Sequence, residues 1–228
     1  ILNSPSNPSG VVYTKEELQG LADICVKHDI YVIADDIYYK LIYDGLEFTC
    51  IASLGEEIKK LTILINGVSK SYAMTGWRIG YLAAEPEIAT VIGNFQSHAS
   101  SNPNSIAQAA AEEALTGPQS GIETMRRAFE GRRDYFLEKA SKIKNIKCIH
   151  PHGAFYIMMD VSYYFGKNLY GKRIENADDF ANLFLDKGLV ALVPCTGFGA
   201  PKHVRWSYAT SMENIKTGLE RLEIFLEG

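Results

Sequence analysis

Apolar positions along the chain switch between a helical period and short continuous runs, the pattern of helices alternating with buried strands. After an opening Ile1-Leu2-Asn3, the turn-rich SPSNPSG (residues 4–10) leads to Thr14-Lys15-Glu16-Glu17. That is a capping box, and it predicts a helix running to about His28. IYVIAD (30–35) then predicts a buried strand, and TILIN (62–66) and IGYLAA (79–84) predict two more. Pro86 opens the next helix. From Gly117 to about Ser141 a long helical pattern rich in Arg and Glu follows, which Gly121 and Gly131 weaken without forbidding. Beyond it AFYIMMD (154–160) and HVRWSYA (203–209) read as strands, and a helix begins near Asn176 to Asp179. Thr210-Ser211-Met212-Glu213 is a second capping box, which opens the last helix.

The fold class predicted is α/β: the remainder of a mostly parallel, helix-covered sheet, followed by a smaller C-terminal α/β domain. We set the boundary at residues 1–120 and 121–228, with the long helix as connector. A chain that begins Ile-Leu-Asn, with neither a methionine nor an amphipathic lead-in, starts where a strand is already under way, so a fragment is expected.

Composition narrows the function. With 228 residues, 46% of them hydrophobic, the chain can bury a sizeable core. Lys and Arg number 23 against 27 Asp and Glu, a net charge of −4 with no basic stripe, which argues against nucleic acid as a partner. No apolar run reaches the roughly 20 residues that span a bilayer, and no cationic segment precedes an apolar one as in a secretory signal. No membrane partner is expected. Cys25, Cys50, Cys148 and Cys195 are widely separated and form no C-x-x-C, so neither a zinc site nor a disulfide framework is indicated, and a reducing cytoplasm fits best.

The stretch INGVSKSYAMTGWRIGY (65–81) sets one lysine, Lys70, among small residues, with Arg78 in an otherwise apolar run. Small neighbours leave room for a bulky ligand against the backbone, which suits Schiff-base chemistry at a neutral amine; a solvated loop lysine is the plain alternative. Asp35 closes a strand at the carboxyl end, where ligands bind in open α/β sheets. A carboxylate there can hold a pyridinium protonated, or simply cap a helix. Tyr38 can place a hydroxyl on the same ligand or pack over the sheet edge. Asn7 lies between prolines and has an amide to donate, although Asn-Pro is ordinarily just a turn. Arg205 can fork onto a carboxylate or point to solvent.

In the order NSPSNPSG, IADDIYY, SKSYAMTGWRIGY, GAFYIMMD and HVRWSYATS, these motifs resemble the pyridoxal-phosphate-dependent aminotransferases of fold type I, class I, of the aspartate aminotransferase kind, over essentially the whole chain. The resemblance implies pyridoxal 5'-phosphate as cofactor, an L-amino acid and a 2-oxo acid as substrates, and a homodimer when the chain is full length. It implies that Lys70 carries the cofactor as an imine and later shuttles the proton, with Asp35 and Tyr38 as its catalytic companions. Asp35 pairs with the pyridine nitrogen, Asn7 and Tyr38 bond the phenolic oxygen, Ser69 and Arg78 hold the phosphate, and Arg205 with Asn7 binds the substrate carboxylate. Aspartate is the first substrate expected, with aromatic amino acids and alanine as candidates. A pyridoxal-phosphate-dependent C–S or β-elimination lyase and the aminotransferase-like ligand-sensing domain of a transcription regulator remain as alternatives.

The departures from the family pattern are an absent N-terminal part, Ser9 where threonine is usual, and Gly67 where some members have serine. By the resemblance that N-terminal part carries a ring-stacking aromatic and a phosphate-binding helix end, so the 228 residues alone are expected to be inactive. His150 and His152 in HPHG read as a turn before a strand, since no third ligand is evident, and no metal is expected. TGFGAP (196–201) lacks the order of a phosphate loop and reads as a substrate-facing loop. SYYFGKNLYG (162–171) reads as a flexible excursion.

Overall fold

The first capping box forms as the local sequence dictates. Thr14 Oγ1 accepts from the Glu17 amide at 3.2 Å, and the Thr14 amide donates to Glu17 Oε2 at 2.8 Å. The helix behind it, α1 (Lys15–Lys27), ends at His28. α1 follows β1 (Leu2–Asn3) and precedes β2 (Val32–Asp35), a short α2 (Glu56–Lys60), β3 (Thr62–Gly67) and β4 (Gly80–Ala83). Three helices come next: α3 (Pro86–Ala99), α4 (Ser105–Thr116) and α5 (Ser120–Ala140). This computed structural model describes all residues, 1–228. Its chain divides into two compact units, one of residues 1–6 and 11–126, the other of residues 7–10 and 127–228.

The sheet of the first unit runs β1-β2-β3-β4, with β1, β2 and β3 parallel and β4 antiparallel to β3. This is the expected α/β class with a mostly parallel sheet. Leu18 and Ala22 of α1 pack on Val32 and Ala34 of β2, with Ile51 and Ile58 closing the cluster. Parallel pairing puts Asn3, Asp35 and Ile65 in one row, on the sheet face opposite Ala34.

The sequence pattern did not separate α4 from its neighbours. Asn104 caps it, its side chain accepting from the amides of Ile106 and Ala107. Only the small Ala107 and Ala111 are buried along it, so its apolar stripe is weak.

The second unit contains β5 (Lys147–Cys148), β6 (Tyr156–Asp160), β7 (Asn168–Leu169), β8 (Lys172–Arg173), α6 (Ala177–Gly188), β9 (Val193–Pro194), β10 (His203–Ser207) and α7 (Met212–Leu226). Its four-stranded sheet runs β5-β6-β10-β9, antiparallel throughout. Phe180 and Phe184 of α6 meet Phe225 of α7, and Phe184 also meets Trp206 of β10, forming an aromatic core.

Two expectations are corrected here. The last helix is capped one residue later than the predicted box: Ser211 Oγ accepts from the Asn214 amide, and the Asn214 side chain donates to Thr210 Oγ1. Both hydroxyls are used, but Ser211 is the cap. The stretch 162–171 is also no loose excursion. It enters the β7–β8 hairpin, with Tyr164 and Leu169 buried and the Gly166 amide donating to Ile174 O at 2.7 Å.

Candidate active site

Strand register decides which candidates meet at one end of the first sheet. Asp35 is the last residue of β2 and pairs with Ile65, and the last pair between β3 and β4 is Gly67 with Gly80. Ser69 and Lys70 leave β3 at that end, and Arg78, two residues ahead of Gly80, enters β4 there. Four of the predicted residues are thus gathered by the parallel β2–β3 pair and the antiparallel β3–β4 pair, at the carboxyl edge of the parallel strands.

Asp35 is half-buried, and its Oδ1 accepts from the Ile37 amide at 3.3 Å. Tyr38 lies in the turn that follows and is buried, beside buried Leu41. The Lys70 segment is held tightly. Val68 is fully buried and its amide donates to Ile79 O, while the amides of Tyr72 and Met74 return to Val68 O. Ser71 is fully buried and its hydroxyl donates to Ile37 O at 3.4 Å. Ala107 and Ala111 of α4 pack against Val68 and Ile79, so the helix missed in the sequence supports the lysine segment.

Ala73 and Arg78 are both left-handed, at φ 54° and 58°. Non-glycine residues in that region cluster where a fold holds a functional loop under strain. The Arg78 side chain donates from Nη1 to Thr75 O at 3.0 Å. Gly67 is required by close approach, since a Cβ there would lie 2.7 Å from Ile79 O and 3.1 Å from Gly80 Cα.

Beside this site lies a polar network that sequence reasoning missed. The hydroxyls of Tyr39 and Tyr72 are 3.4 Å apart, Tyr72 donates to Gln119 Oε1, and Lys40 Nζ donates to the same oxygen at 2.7 Å. Burial, with the Tyr72 hydroxyl bond, pushes the Tyr39 phenol well above its ordinary range. Asp36 is buried next to Asp35. Burial pushes its carboxyl up to about 6, a hydrogen bond from the Cys50 thiol opposes the shift, and the Asp35 charge adds to it. Cys50 in turn is pushed up to about 11, chiefly by burial.

The other two predicted residues, Asn7 and Arg205, belong to the second unit. Arg205 Nη1 donates to Asn7 Oδ1 at 2.5 Å. On β10, Arg205 stands opposite Met158 of β6, which puts Tyr156 diagonally across from it. The Tyr156 ring centroid lies 4.4 Å from the guanidinium carbon, and that of Phe198, from the TGFGAP loop, 5.5 Å. Tyr156 is a contact that only the register reveals. The buried Cys195 thiol is raised by burial, an effect that Arg205 partly offsets. His150 and His152 sit in the bend before β6 with ring centroids 4.9 Å apart.

The family model for aminotransferase class I and II matches residues 1–222. An aspartate aminotransferase of Bacillus sp. (strain YM-2) is 46% identical over 227 residues, which cover 100% of this chain and 57% of that protein. An asparagine–oxo-acid transaminase of Streptococcus mutans is 43% identical with the same coverage. Among solved structures, the aspartate aminotransferase of Rhizobium meliloti superposes with a TM-score of 0.95 at 39% identity, covering 99% of this chain and 57% of that one. The chain therefore spans little more than half the length of the relatives it matches. None of its helices is long and apolar enough to cross a membrane.

Proposed function

This chain belongs to the aminotransferase class I and II family, and from that membership we propose that the whole protein moves an amino group from an L-amino acid to a 2-oxo acid with pyridoxal phosphate as cofactor. The observation that carries this reading is the register that collects a carboxylate (Asp35), an amine (Lys70) and a guanidinium with a hydroxyl (Arg78, Ser69) at one sheet end.

That donor set fits the cofactor part by part. A ring nitrogen needs an acceptor, and the half-buried Asp35 has a second oxygen that accepts no hydrogen bond. An aldehyde needs an amine, which Lys70 has; a phosphate needs donors and positive charge, which Ser69 and Arg78 have. Tyr38 brings a hydroxyl for the phenolic oxygen. When bound, pyridoxal phosphate supplies an electron sink that acidifies the substrate's α-carbon.

The chain's own residues do the rest. Lys70 Nζ would take the substrate's α-proton, and its segment, anchored at Val68 and Ser71, would keep the amine in line with that proton. The Asp35 carboxylate would accept the hydrogen bond of a protonated ring nitrogen. The Arg205 guanidinium, its Nη1 spent on Asn7, offers its Nε–Nη2 edge to the substrate's α-carboxylate.

We assign residues 1–120 to the cofactor-binding domain and 121–228 to the small domain. Aspartate is the proposed amino donor, supported by relatives named aspartate aminotransferase. A homodimer in the cytoplasm completes the proposal. Val91 and Phe95, exposed on α3, offer apolar surface to a partner, and the four dispersed cysteines suit a reducing compartment.

The test is borohydride reduction of the whole protein with pyridoxal phosphate, followed by peptide mapping, alongside an assay of glutamate formed from L-aspartate and 2-oxoglutarate. Label on Lys70, lost in Lys70→Ala, is expected together with glutamate. Label chiefly on other lysines, or no glutamate, refutes the reading.

A further inference from the structure

Arg133, on the buried face of α5, is a charged side chain with 2% exposure. Taking a guanidinium out of water costs several kcal/mol, and an apolar residue of similar volume often serves a core as well. Its partners are therefore informative. Arg133 Nε and Nη2 bind Asp134 Oδ1 at 2.9 and 2.7 Å, and Nη1 donates to Pro151 O at 3.0 Å.

The turn that Arg133 grips holds something else in its grasp. The amides of His152 and Gly153 both donate to Gly10 O at 2.9 Å. Gly10 has φ +68°, and a Cβ on it would lie 2.3 Å from Pro151 Cβ and 2.8 Å from Gly153 O, so the turn closes on a position that only glycine can fill. Three residues earlier, Asn7 Oδ1 receives Arg205 Nη1. Residues 7–10 belong with the second unit although both flanks belong to the first. Pro8 fixes one backbone torsion between Asn7 and Gly10, which narrows the ways in which a displacement of Gly10 is absorbed before it reaches Asn7.

We propose that Arg133 is a positioning residue for the substrate carboxylate: through Pro151 and Gly10 it sets where Asn7 meets Arg205. The proposal rests on the amino-transfer reading for the identity of the ligand. Arg133 touches neither substrate nor cofactor in this scheme. It acts on the aim of the Arg205 fork, which a shift of Asn7 would turn away from the incoming carboxylate.

The experiment is a double-mutant cycle on the whole protein loaded with pyridoxal phosphate. It reads the Kd of maleate by calorimetry and the KM and kcat for L-aspartate. Arg133→Lys is expected to raise the maleate Kd and the aspartate KM about fivefold while kcat changes less, and to change both by less than about twofold when Asn7→Ala is already present. Asp134→Asn, which keeps a side-chain oxygen for the Arg133 bonds at an exposed position, should move them in the same direction by about twofold. Should Arg133→Lys fail to fold, Asp134→Asn in the two backgrounds decides. Equal fold-changes with and without Asn7→Ala, or a lowered Tm with unaltered maleate binding, would reduce Arg133 to a structural role and overturn the proposal. Absence of maleate binding by the parent protein would overturn it as well. Because maleate binding needs no turnover, a parent protein that binds maleate but forms no glutamate would strike the amino-transfer reading and leave this one standing.

Discussion

Arg205 Nη1 donates to Oδ1 of Asn7, a residue 198 positions earlier in the chain. The bond uses one end of the guanidinium, and the Nε–Nη2 edge donates to nothing within this unit. With the Tyr156 ring 4.4 Å from its carbon, the guanidinium is held by an edge and a face before any ligand arrives. Such preorganisation lowers the entropy lost on binding, since the fork need not be ordered by the carboxylate itself.

Replacing Arg205 with Lys keeps the charge but loses the planar fork. In the whole protein this should raise the KM for L-aspartate by an amount equivalent to about 1 to 3 kcal/mol, because a point ammonium cannot serve Asn7 and two carboxylate oxygens together. Steady-state kinetics checks it. Unchanged saturation would remove Arg205 from the site.

Tyr156 contributes a ring face rather than a hydroxyl to this arrangement. Tyr156→Leu should weaken maleate binding by about 0.5 to 2 kcal/mol, whereas Tyr156→Phe should recover most of the affinity. Calorimetry on both variants separates the two groups. A Phe variant as weak as the Leu variant would assign the effect to the hydroxyl.

Local signals made much of the fold legible. Thr14 and Glu17 form a capping box that needs nothing beyond four residues, and IYVIAD and TILIN are apolar enough to read as buried strands. α4 was not legible because alanines supply its buried face, and Thr210 and Ser211 compete for one cap because both carry a hydroxyl. Among the candidate residues, Lys70, Asp35 and Arg205 stand in recognisable motifs. Tyr156 and Arg133 do not. The first reaches Arg205 only through the register of β6 with β10. The second sits in an Arg- and Glu-rich helix whose sequence suggests a solvated face, and burial comes from packing against a turn 18 residues away.

Gly67 marks where β3 passes closest to the start of β4. A methyl there would meet backbone atoms, Ile79 O at 2.7 Å and Gly80 Cα at 3.1 Å, so Gly67→Ala should destabilise the protein by about 1 to 3 kcal/mol. The parted strands would also shift Lys70 relative to Asp35. Urea unfolding measures the first effect and the yield of borohydride-fixed cofactor on Lys70 the second. Wild-type values for both would show that the strands separate freely.

Asp36 gives the protein a pH dependence of stability with a definite sign. Burial raises its carboxyl from an ordinary 3.8 to about 6, so between those values the folded chain holds a proton that the unfolded chain has lost. Folding is therefore favoured below pH 4 relative to neutral pH as far as this residue is concerned, and that contribution is lost as pH rises through about 6. A tenfold change in proton affinity is worth about 1.4 kcal/mol, so the whole loss amounts to no more than about 3 kcal/mol. Asp36→Asn keeps a polar acceptor for the Cys50 thiol but carries no charge at any pH. The variant should equal the parent protein near pH 4 and exceed it at pH 7. Urea unfolding free energies at pH 4, 5, 6 and 7 for the two proteins would give a difference that grows with pH and levels off above about 6. A difference that stays constant over this range would mean that Asp36 titrates in the folded chain as it does in the unfolded one, and a difference that shrinks with rising pH would mean that a favourable charge partner holds the carboxylate ionised.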